Sequence, residues 1–171
     1  MTENTGDVTE GAHGPDGQVG LEDTGGEGLT EIRVDRFFPH PPAKVWRALT
    51  EPELIGRWLM PGDFRLEVGH VYTLQGRAMP GTGFSGTVRA QVLDFEPEKM
   101  IRVGWKDAEG GNAADWTITW TLEPEGKGTR LFLHHEGFDP DDPMQRRAHS
   151  IMSGGWRSNV MESLGEVLDT L

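Results

Sequence analysis

Two adjacent histidines and a glutamate, His134, His135 and Glu136, are the residues of this 171-residue chain whose types and spacing most suggest chemistry. Imidazole and carboxylate groups together can hold a metal ion or transfer a proton. They end the stretch GTRLFLHHE, whose alternation is typical of a β-strand. Alternate side chains of a strand share a face, so we expect His135 to point inward with the leucines and His134 and Glu136 to face solvent. With no third ligand nearby, we predict neither a metal nor a cofactor.

The inward His135 leaves two interpretations open. A buried histidine that hydrogen-bonds the end of the sheet to a later helix is the commoner arrangement. Alternatively, His135 contacts a ligand or transfers a proton, as it would in an enzyme. The chain has no cysteine, no Gly-x-Ser-x-Gly elbow and no paired carboxylates in an apolar setting, which favours a protein without turnover.

The tryptophans form a second candidate feature, since six occur in the chain. Their large amphipathic rings suit a roomy apolar cavity with few polar groups, although aromatic residues also build ordinary cores. Trp116 and Trp120 fall on one face of a predicted strand, and Trp105 falls on the same kind of face in the strand before it. The candidate ligand-binding residues are Tyr72, Trp105, Trp116, Trp120, His135, Met152 and Trp156.

The elements that must position these residues follow from hydropathy patterns. The sequence predicts one strand near residues 30–38, two short helices in PPAKVWRALTEPELIGRWL, and then a series of strands. The later strands are predicted at 70–77, 84–95, 99–107, 115–124 and 128–138, with 64–68 as a further candidate. From Pro143 to the end, apolar residues recur every three or four positions, which predicts one long helix with a bend permitted at Ser153-Gly154-Gly155. Short connections indicate antiparallel hairpins, and only the long helix is large enough to cover the sheet.

Charge and composition divide the chain in two. Residues 1–31 contain eight of the 28 acidic residues and neither Lys nor Arg. We predict a disordered, acidic, glycine-rich tail at 1–29 and a folded domain at 30–171. The domain lacks a basic stripe for nucleic acid, and no run of about 18 apolar residues predicts a membrane span. The start of the chain does not resemble a secretory signal, so we expect a cytoplasmic protein.

Four motifs in order, PPAKVWRALTEPELIGRWL, VGHVYTLQGR, GTRLFLHHEGF and GGWRSNVMESLGEVL, resemble the SRPBCC superfamily, also called START-like or Bet v 1-like. The similarity is to the group related to the activator of Hsp90 ATPase and covers roughly residues 30–171. It implies an α+β helix-grip fold. In that fold a curved antiparallel sheet of about six to seven strands surrounds a long C-terminal helix, with two short helices after strand 1 and a cavity inside.

The resemblance leaves several functions open, because members of this superfamily bind hydrophobic small molecules, cyclise polyketides or act as cochaperones. We expect a binding protein for a hydrophobic or aromatic small molecule, linked to polyketide or antibiotic metabolism. A polyketide cyclase or aromatase is one alternative. A lone domain argues against Hsp90 as a partner, and the sequence does not indicate an oligomeric state.

The calicheamicin self-sacrifice proteins of the same group provide the other alternative. There the resemblance implies that a bound enediyne abstracts hydrogen from a glycine and that the chain is then cleaved. Gly128, in the predicted hairpin before Thr129, is the candidate cleavage site, and an ordinary structural glycine is the commoner role for such a residue.

Overall fold

A computed structural model of the chain describes residues 28–110 and 114–171. The tail predicted at 1–29 therefore lies, except for its last two residues, outside the described part and stays a prediction. None of the helices in the described part is long and apolar enough to cross a bilayer.

Six strands form one antiparallel sheet in the order β1-β6-β5-β4-β3-β2. Their bounds are β1 Glu31–Phe38, β2 Val71–Gln75, β3 Thr87–Glu96, β4 Met100–Asp107, β5 Trp116–Glu125 and β6 Gly128–Glu136. Strands β2 to β6 follow one another as a meander, and β1 joins the free edge of β6. The helix-grip prediction of a curved antiparallel sheet is confirmed.

The seventh candidate strand is absent from the described residues, and the prediction of a strand at 64–68 is wrong. The amide of Glu67 donates to the carbonyl of Arg65 at 2.9 Å, and the amide of His70 donates to that of Glu67 at 3.0 Å. The backbone therefore hydrogen-bonds locally as a turn, although its apolar alternation is typical of a strand.

Two short helices, α1 (Pro42–Thr50) and α2 (Pro52–Trp58), follow β1 as predicted. Each has a proline in its first turn, where the missing amide proton removes no helical hydrogen bond. The indole Nε1 of Trp58 donates to the carbonyl of Ala48 at 2.8 Å and so joins the two helices. This pair covers one end of the concave sheet face.

The long C-terminal helix covers the rest of that face. It consists of α3 (Pro143–Gly155), a π-helical turn (Trp156–Val160) and α4 (Met161–Leu168). Asp142 caps α3 by accepting from the amide of Met144 at 2.9 Å. The bend permitted by Gly154-Gly155 appears as the π turn directly after them, which changes the direction in which the later side chains point.

Candidate functional site

A cavity of about 510 Å³ lies beneath α3 at the end of the sheet where β4 stops and β5 begins. Three parts of the chain enclose it: the segment after α2, the connection from β2 to β3, and α3 itself. The lining residues are Leu59, Met60, Pro61, Gln75, Gly76, Arg77, Met79, Thr82, Phe84, Val88, Trp105, Asp107, Ala114, Trp116, Ala148, Ile151 and Met152. Most of these side chains are apolar, so the cavity favours an apolar occupant.

Two tryptophans and a small helical residue shape the wall. Trp105 and Trp116 are directly paired across β4 and β5 and present two rings to the space. On α3, the residue that faces the cavity one turn before Met152 is Ala148, whose methyl group does not reach the opposite wall. The space therefore remains because a small residue stands where a larger one would fill it.

The connection from β2 to β3 forms the outer side of the cavity. A short 3₁₀ turn (Pro80–Thr82) lies within it, and Arg147 of α3 donates from Nη1 to the carbonyl of Gly81 at 3.0 Å. Two apolar side chains at the mouth, Met79 and Ile151, are 40% and 43% exposed. An apolar mouth of this kind gives an apolar molecule a path from solvent to the interior.

Four lining side chains are polar, and three of them, Asp107, Thr82 and Gln75, make hydrogen bonds to neighbouring residues. The Oδ1 of Asp107 accepts from the amide of Ser85 at 2.8 Å and from its hydroxyl at 2.7 Å. The Thr82 hydroxyl donates to the carbonyl of Met79 at 2.8 Å. Gln75 and Arg77, in contrast, are exposed at the rim.

The sequence-predicted binding residues divide into two groups. Trp105, Trp116 and Met152 line the cavity. Tyr72 and Trp120 line instead, together with Trp105, a separate space of only about 30 Å³ near α1 and α2. The ring of Tyr72 packs on Phe64 with centroids 5.1 Å apart, and burial raises the pKa of the Tyr72 phenol above its usual range. A ligand role for Tyr72 and Trp120 stays a prediction.

The remaining two candidates, His135 and Trp156, form what we call the histidine cluster with Phe138 and His149. The indole Nε1 of Trp156 donates to Nδ1 of His135 at 3.1 Å. Phe138 packs on His135 with ring centroids 4.6 Å apart and on His149 at 5.0 Å. The cluster joins β6 to the π turn of the C-terminal helix, and the side chain of His135 is fully buried.

The hydrogen bond to Trp156 fixes the protonation state of His135. An indole N–H only donates, so Nδ1 must be unprotonated and a neutral ring carries its proton on Nε2. No described residue accepts from that Nε2. Burial, together with the smaller effects of the nearby His149 and His134, lowers the pKa of His135 to about 3. A group with this pKa is a weak base at neutral pH, and it does not line the cavity.

His134 and Glu136 lie on the outer face, as predicted. The Nε2 of His134 pairs with Glu31 at 2.5 Å, and its Nδ1 pairs with Glu136 at 3.0 Å. A wide polar depression of about 690 Å³ surrounds His134 on this face. Glu31 in its lining pairs with Arg33 and His134, and such a polar, charged surface offers little to an apolar molecule. The histidine pair in the sequence is thus divided between solvent and core.

Gly128 lies at the opposite end of the sheet from the cavity. It pairs with Glu125 at the far end of β5, whose 10 residues begin at Trp116, so about 30 Å of strand separates Gly128 from the cavity wall. A Cβ at Gly128 would approach the carbonyl oxygen of Phe38 to 2.4 Å and the ring of Phe37 to 2.6 Å. Close packing against β1 therefore explains the glycine, and cleavage at Gly128 stays a prediction.

Several cavity residues were not among the sequence-predicted candidates. Leu59 ends the predicted helical segment, Met60 follows it and Phe84 begins a predicted strand, and nothing in their local pattern separates a cavity wall from an ordinary core contact. Arg77 resembles any surface arginine in sequence. Ala148 does stand out in the sequence, because a small residue within an otherwise large-residue helical stripe indicates either close packing or space.

Comparison with known proteins identifies the group to which this fold belongs. The profile of the Activator of Hsp90 ATPase homolog 1-like protein family matches residues 39–169. MLL2253 from Mesorhizobium loti is 37% identical, with a TM-score of 0.70 over 82% of this chain and 97% of that one. A comparison with curated protein sequences finds no match.

Two structural neighbours are similar in fold alone, because their sequences are more distant. CalU16 from Micromonospora echinospora is 23% identical, with a TM-score of 0.64 over 81% of this chain and 75% of that one. DynU16, a protein of the dynemicin biosynthetic locus, is 21% identical, with a TM-score of 0.67 over 82% of this chain and 48% of that one.

Proposed function

The chain belongs to the Activator of Hsp90 ATPase homolog 1-like family, and from this premise we propose that it binds an apolar or aromatic small molecule in the cavity beneath α3. The observation that carries the proposal is a space of about 510 Å³, lined mainly by apolar side chains and open at an apolar mouth. This volume lies within the range of about 300–1,000 Å³ that is typical of small-molecule sites.

The wall chemistry favours an aromatic ligand. Trp105 and Trp116 give two ring faces or edges at the closed end, and aromatic rings attract other rings beyond the effect of buried area alone. Met60, Met79 and Met152 add unbranched thioether side chains that adapt to different shapes. The site thus suits a flat ring system and would tolerate variation in its outline.

Binding without turnover accounts best for the groups present. Asp107 and Thr82 hold the surrounding loops by hydrogen bonds, and His135 lies outside the cavity lining. General acid–base catalysis requires a titratable group within hydrogen-bond reach of the substrate. The polyketide cyclase alternative stays a prediction, and conversion of a linear polyketide by the full chain, lost in His135→Leu, would support it.

A fluorescence titration tests the proposed function. N-phenyl-1-naphthylamine is a neutral aromatic probe that emits strongly when it leaves water, and we expect saturable binding to one site. Met152→Trp fills the cavity and should weaken binding at least about tenfold, since it removes space that a ring needs. Met144→Trp is the matched control on the same helix, exposed and outside the cavity lining, and should bind as the wild type does. Absence of saturable binding to the wild type would refute the proposal.

A link to antibiotic metabolism, including enediynes, remains a finer proposal. If an enediyne bound in the cavity and were quenched by a glycine, Gly76 would be the glycine placed to react, because it lines the space whereas Gly128 does not. Incubation with an activated enediyne followed by intact mass spectrometry distinguishes the two positions by fragment mass. An uncleaved chain would exclude self-sacrifice.

A further inference from the structure

We propose that the natural ligand carries an anionic oxygen group, a carboxylate or its equivalent, which Arg77 and Gln75 bind at the rim of the cavity. The inference rests on the proposed function, since it concerns the polar end of the same ligand. The feature that carries it is the hydrogen-bonding state of the four polar side chains in the lining.

The two inner polar groups are occupied. Asp107 accepts from the amide and the hydroxyl of Ser85 through Oδ1 and from the amide of Glu109 through Oδ2 at 3.2 Å. These bonds stabilise its negative charge and hold the loops on either side of it. The hydroxyl of Thr82 is bonded to its own turn. Neither group needs a ligand for its hydrogen bonds.

The two rim groups have donors to spare. The Oε1 of Gln75 accepts from the hydroxyl of Thr87 at 3.1 Å, which leaves the amide NH₂ of Gln75 as a donor. Arg77 makes no hydrogen bond or ion pair with residues 28–110 or 114–171 and presents five N–H donors in a planar fork. Gln75 and Arg77 thus have N–H donors without an acceptor among the described residues, and they complement a ligand that provides an acceptor.

The position and the positive charge of Arg77 favour an anionic ligand group over a neutral hydrogen-bond acceptor. Gln75 ends β2, and Arg77 follows two residues later, so both lie at the mouth between the apolar interior and water. A planar guanidinium matches a carboxylate in two parallel hydrogen bonds, which lysine or an amide alone does not achieve. The ligand would place its rings against Trp105 and Trp116 and its acid group at the rim, where that group keeps part of its hydration.

Two probes that differ by one acidic group test this inference with the full chain. 1-Anilinonaphthalene-8-sulfonate has the ring system of N-phenyl-1-naphthylamine plus a sulfonate. We expect the wild type to bind the sulfonate about fivefold more tightly at low salt, the upper range for an ion pair open to solvent. High salt should reduce this preference, because exposed charges are screened.

Single substitutions test whether Arg77 and Gln75 are the residues that bind the sulfonate. Arg77→Met should abolish the preference for the sulfonate, measured as the ratio of the two Kd values in the same variant, and Gln75→Leu should reduce that preference by about half. Arg89→Met is the matched control, because Arg89 is exposed on the outer face of β3 and outside the lining. It should bind both probes as the wild type does.

The outcomes separate this inference from the proposed function. If neither probe binds, the proposed function fails. If both probes bind with equal Kd, or if Arg77→Met retains the preference, the anion site at Arg77 is refuted while the proposed function stands. Loss of the preference in Arg89→Met would place the anion elsewhere and would also refute it.

Discussion

The histidine cluster and the cavity both lie between the sheet and the C-terminal helix, and both are built from aromatic side chains. The cluster is closely packed, whereas the cavity is open. At the cluster, Trp156 of the helix reaches His135 of β6 and fills the space between the two layers. At the cavity, the helix contributes Ala148 and Met152 opposite Trp105 and Trp116. Aromatic residues on the sheet therefore indicate a binding site only when the helix residues opposite them are known to leave space.

The difference also concerns polar groups. In the cluster, the Nδ1 of the buried His135 accepts a hydrogen bond, and its Nε2 has no acceptor among the described residues. This histidine therefore contributes to the structure rather than to acid–base chemistry. The cavity has its free donors at the rim, where a ligand reaches them. We infer that the cluster holds the helix in place and that the cavity carries the function.

The largest effect should come from breaking the histidine cluster. His135→Ala removes a fully buried ring and leaves the Trp156 indole without its acceptor, so we expect a loss of about 3 kcal/mol in the free energy of unfolding. Urea denaturation measures this loss. Binding of N-phenyl-1-naphthylamine below the transition should weaken less than in Met152→Trp, although Trp116 of the cavity wall packs on the His135 ring with centroids 4.9 Å apart.

Trp156→Phe is a milder test of the same contact, because it keeps most of the ring and removes only the donor. We expect a loss of about 1 kcal/mol, the usual contribution of one hydrogen bond. If either variant kept wild-type stability but lost probe binding, the assignment of the cluster to structure and of the cavity to binding would be wrong.

Two buried helical alanines give a sharper version of the comparison. Ala48 of α1 lies in the packed core, whereas Ala148 of α3 faces the cavity. Ala48→Leu should cost about 2 kcal/mol because the added carbons have no room. Ala148→Leu should change stability by less than about 1 kcal/mol, since it grows into open space, and should weaken probe binding. Equal costs in thermal and urea denaturation would argue that no cavity exists at Ala148.

A further expected effect is the pH dependence that His135 creates. As pH falls through 6.5, the ordinary pKa of a histidine exposed to water, the unfolded chain takes up a proton on His135, but the folded chain does not, because there its pKa is about 3. Stability is therefore present above pH 6.5 and is lost progressively as pH falls. Between pH 6.5 and 5 we expect this residue to account for about 1.5 kcal/mol of lost stability.

His135→Leu provides the control for that titration, and its stability should fall less steeply over the same range. The range avoids the carboxyl groups of Glu31, Asp63 and Glu125, whose pKa values are lowered by hydrogen bonds and whose contributions are lost at more acidic pH. Parallel slopes for the wild type and the variant would contradict the buried, neutral state of His135.

The sequence was sufficient to predict the architecture because hydropathy periods distinguish strands from helices over long stretches. The same alternation put His135 inside and His134 outside, and the glycine pair before Trp156 marked the bend. The prediction failed at 64–68, where local turn hydrogen bonds replaced strand pairing in a segment with the right alternation. Pattern alone does not reveal whether a neighbouring strand is available.

The site was less predictable than the fold because a cavity is a property of facing surfaces. Trp105, Trp116 and Trp156 look alike in sequence, yet two line the cavity and the third fills the gap at the cluster. Arg77 lies in the connection from β2 to β3, and only its position at the mouth of the cavity identifies it as a candidate binding residue. Gly128 was a candidate from the sequence, but its close packing against Phe37 and Phe38 explains why a glycine stands there without invoking a ligand.

The indole N–H signals of the tryptophans in a ¹⁵N–¹H NMR titration test the central claim most directly. On addition of N-phenyl-1-naphthylamine we predict saturable shifts of the Trp105 and Trp116 signals with one common Kd, while the signal of Trp46, buried on α1 and outside the cavity lining, stays unchanged. The Trp156 signal should move little, because its proton remains bonded to His135. Shifts confined to Trp46 or Trp156, or no saturable shift at Trp105 and Trp116, would contradict the claim that the cavity beneath α3 is the binding site.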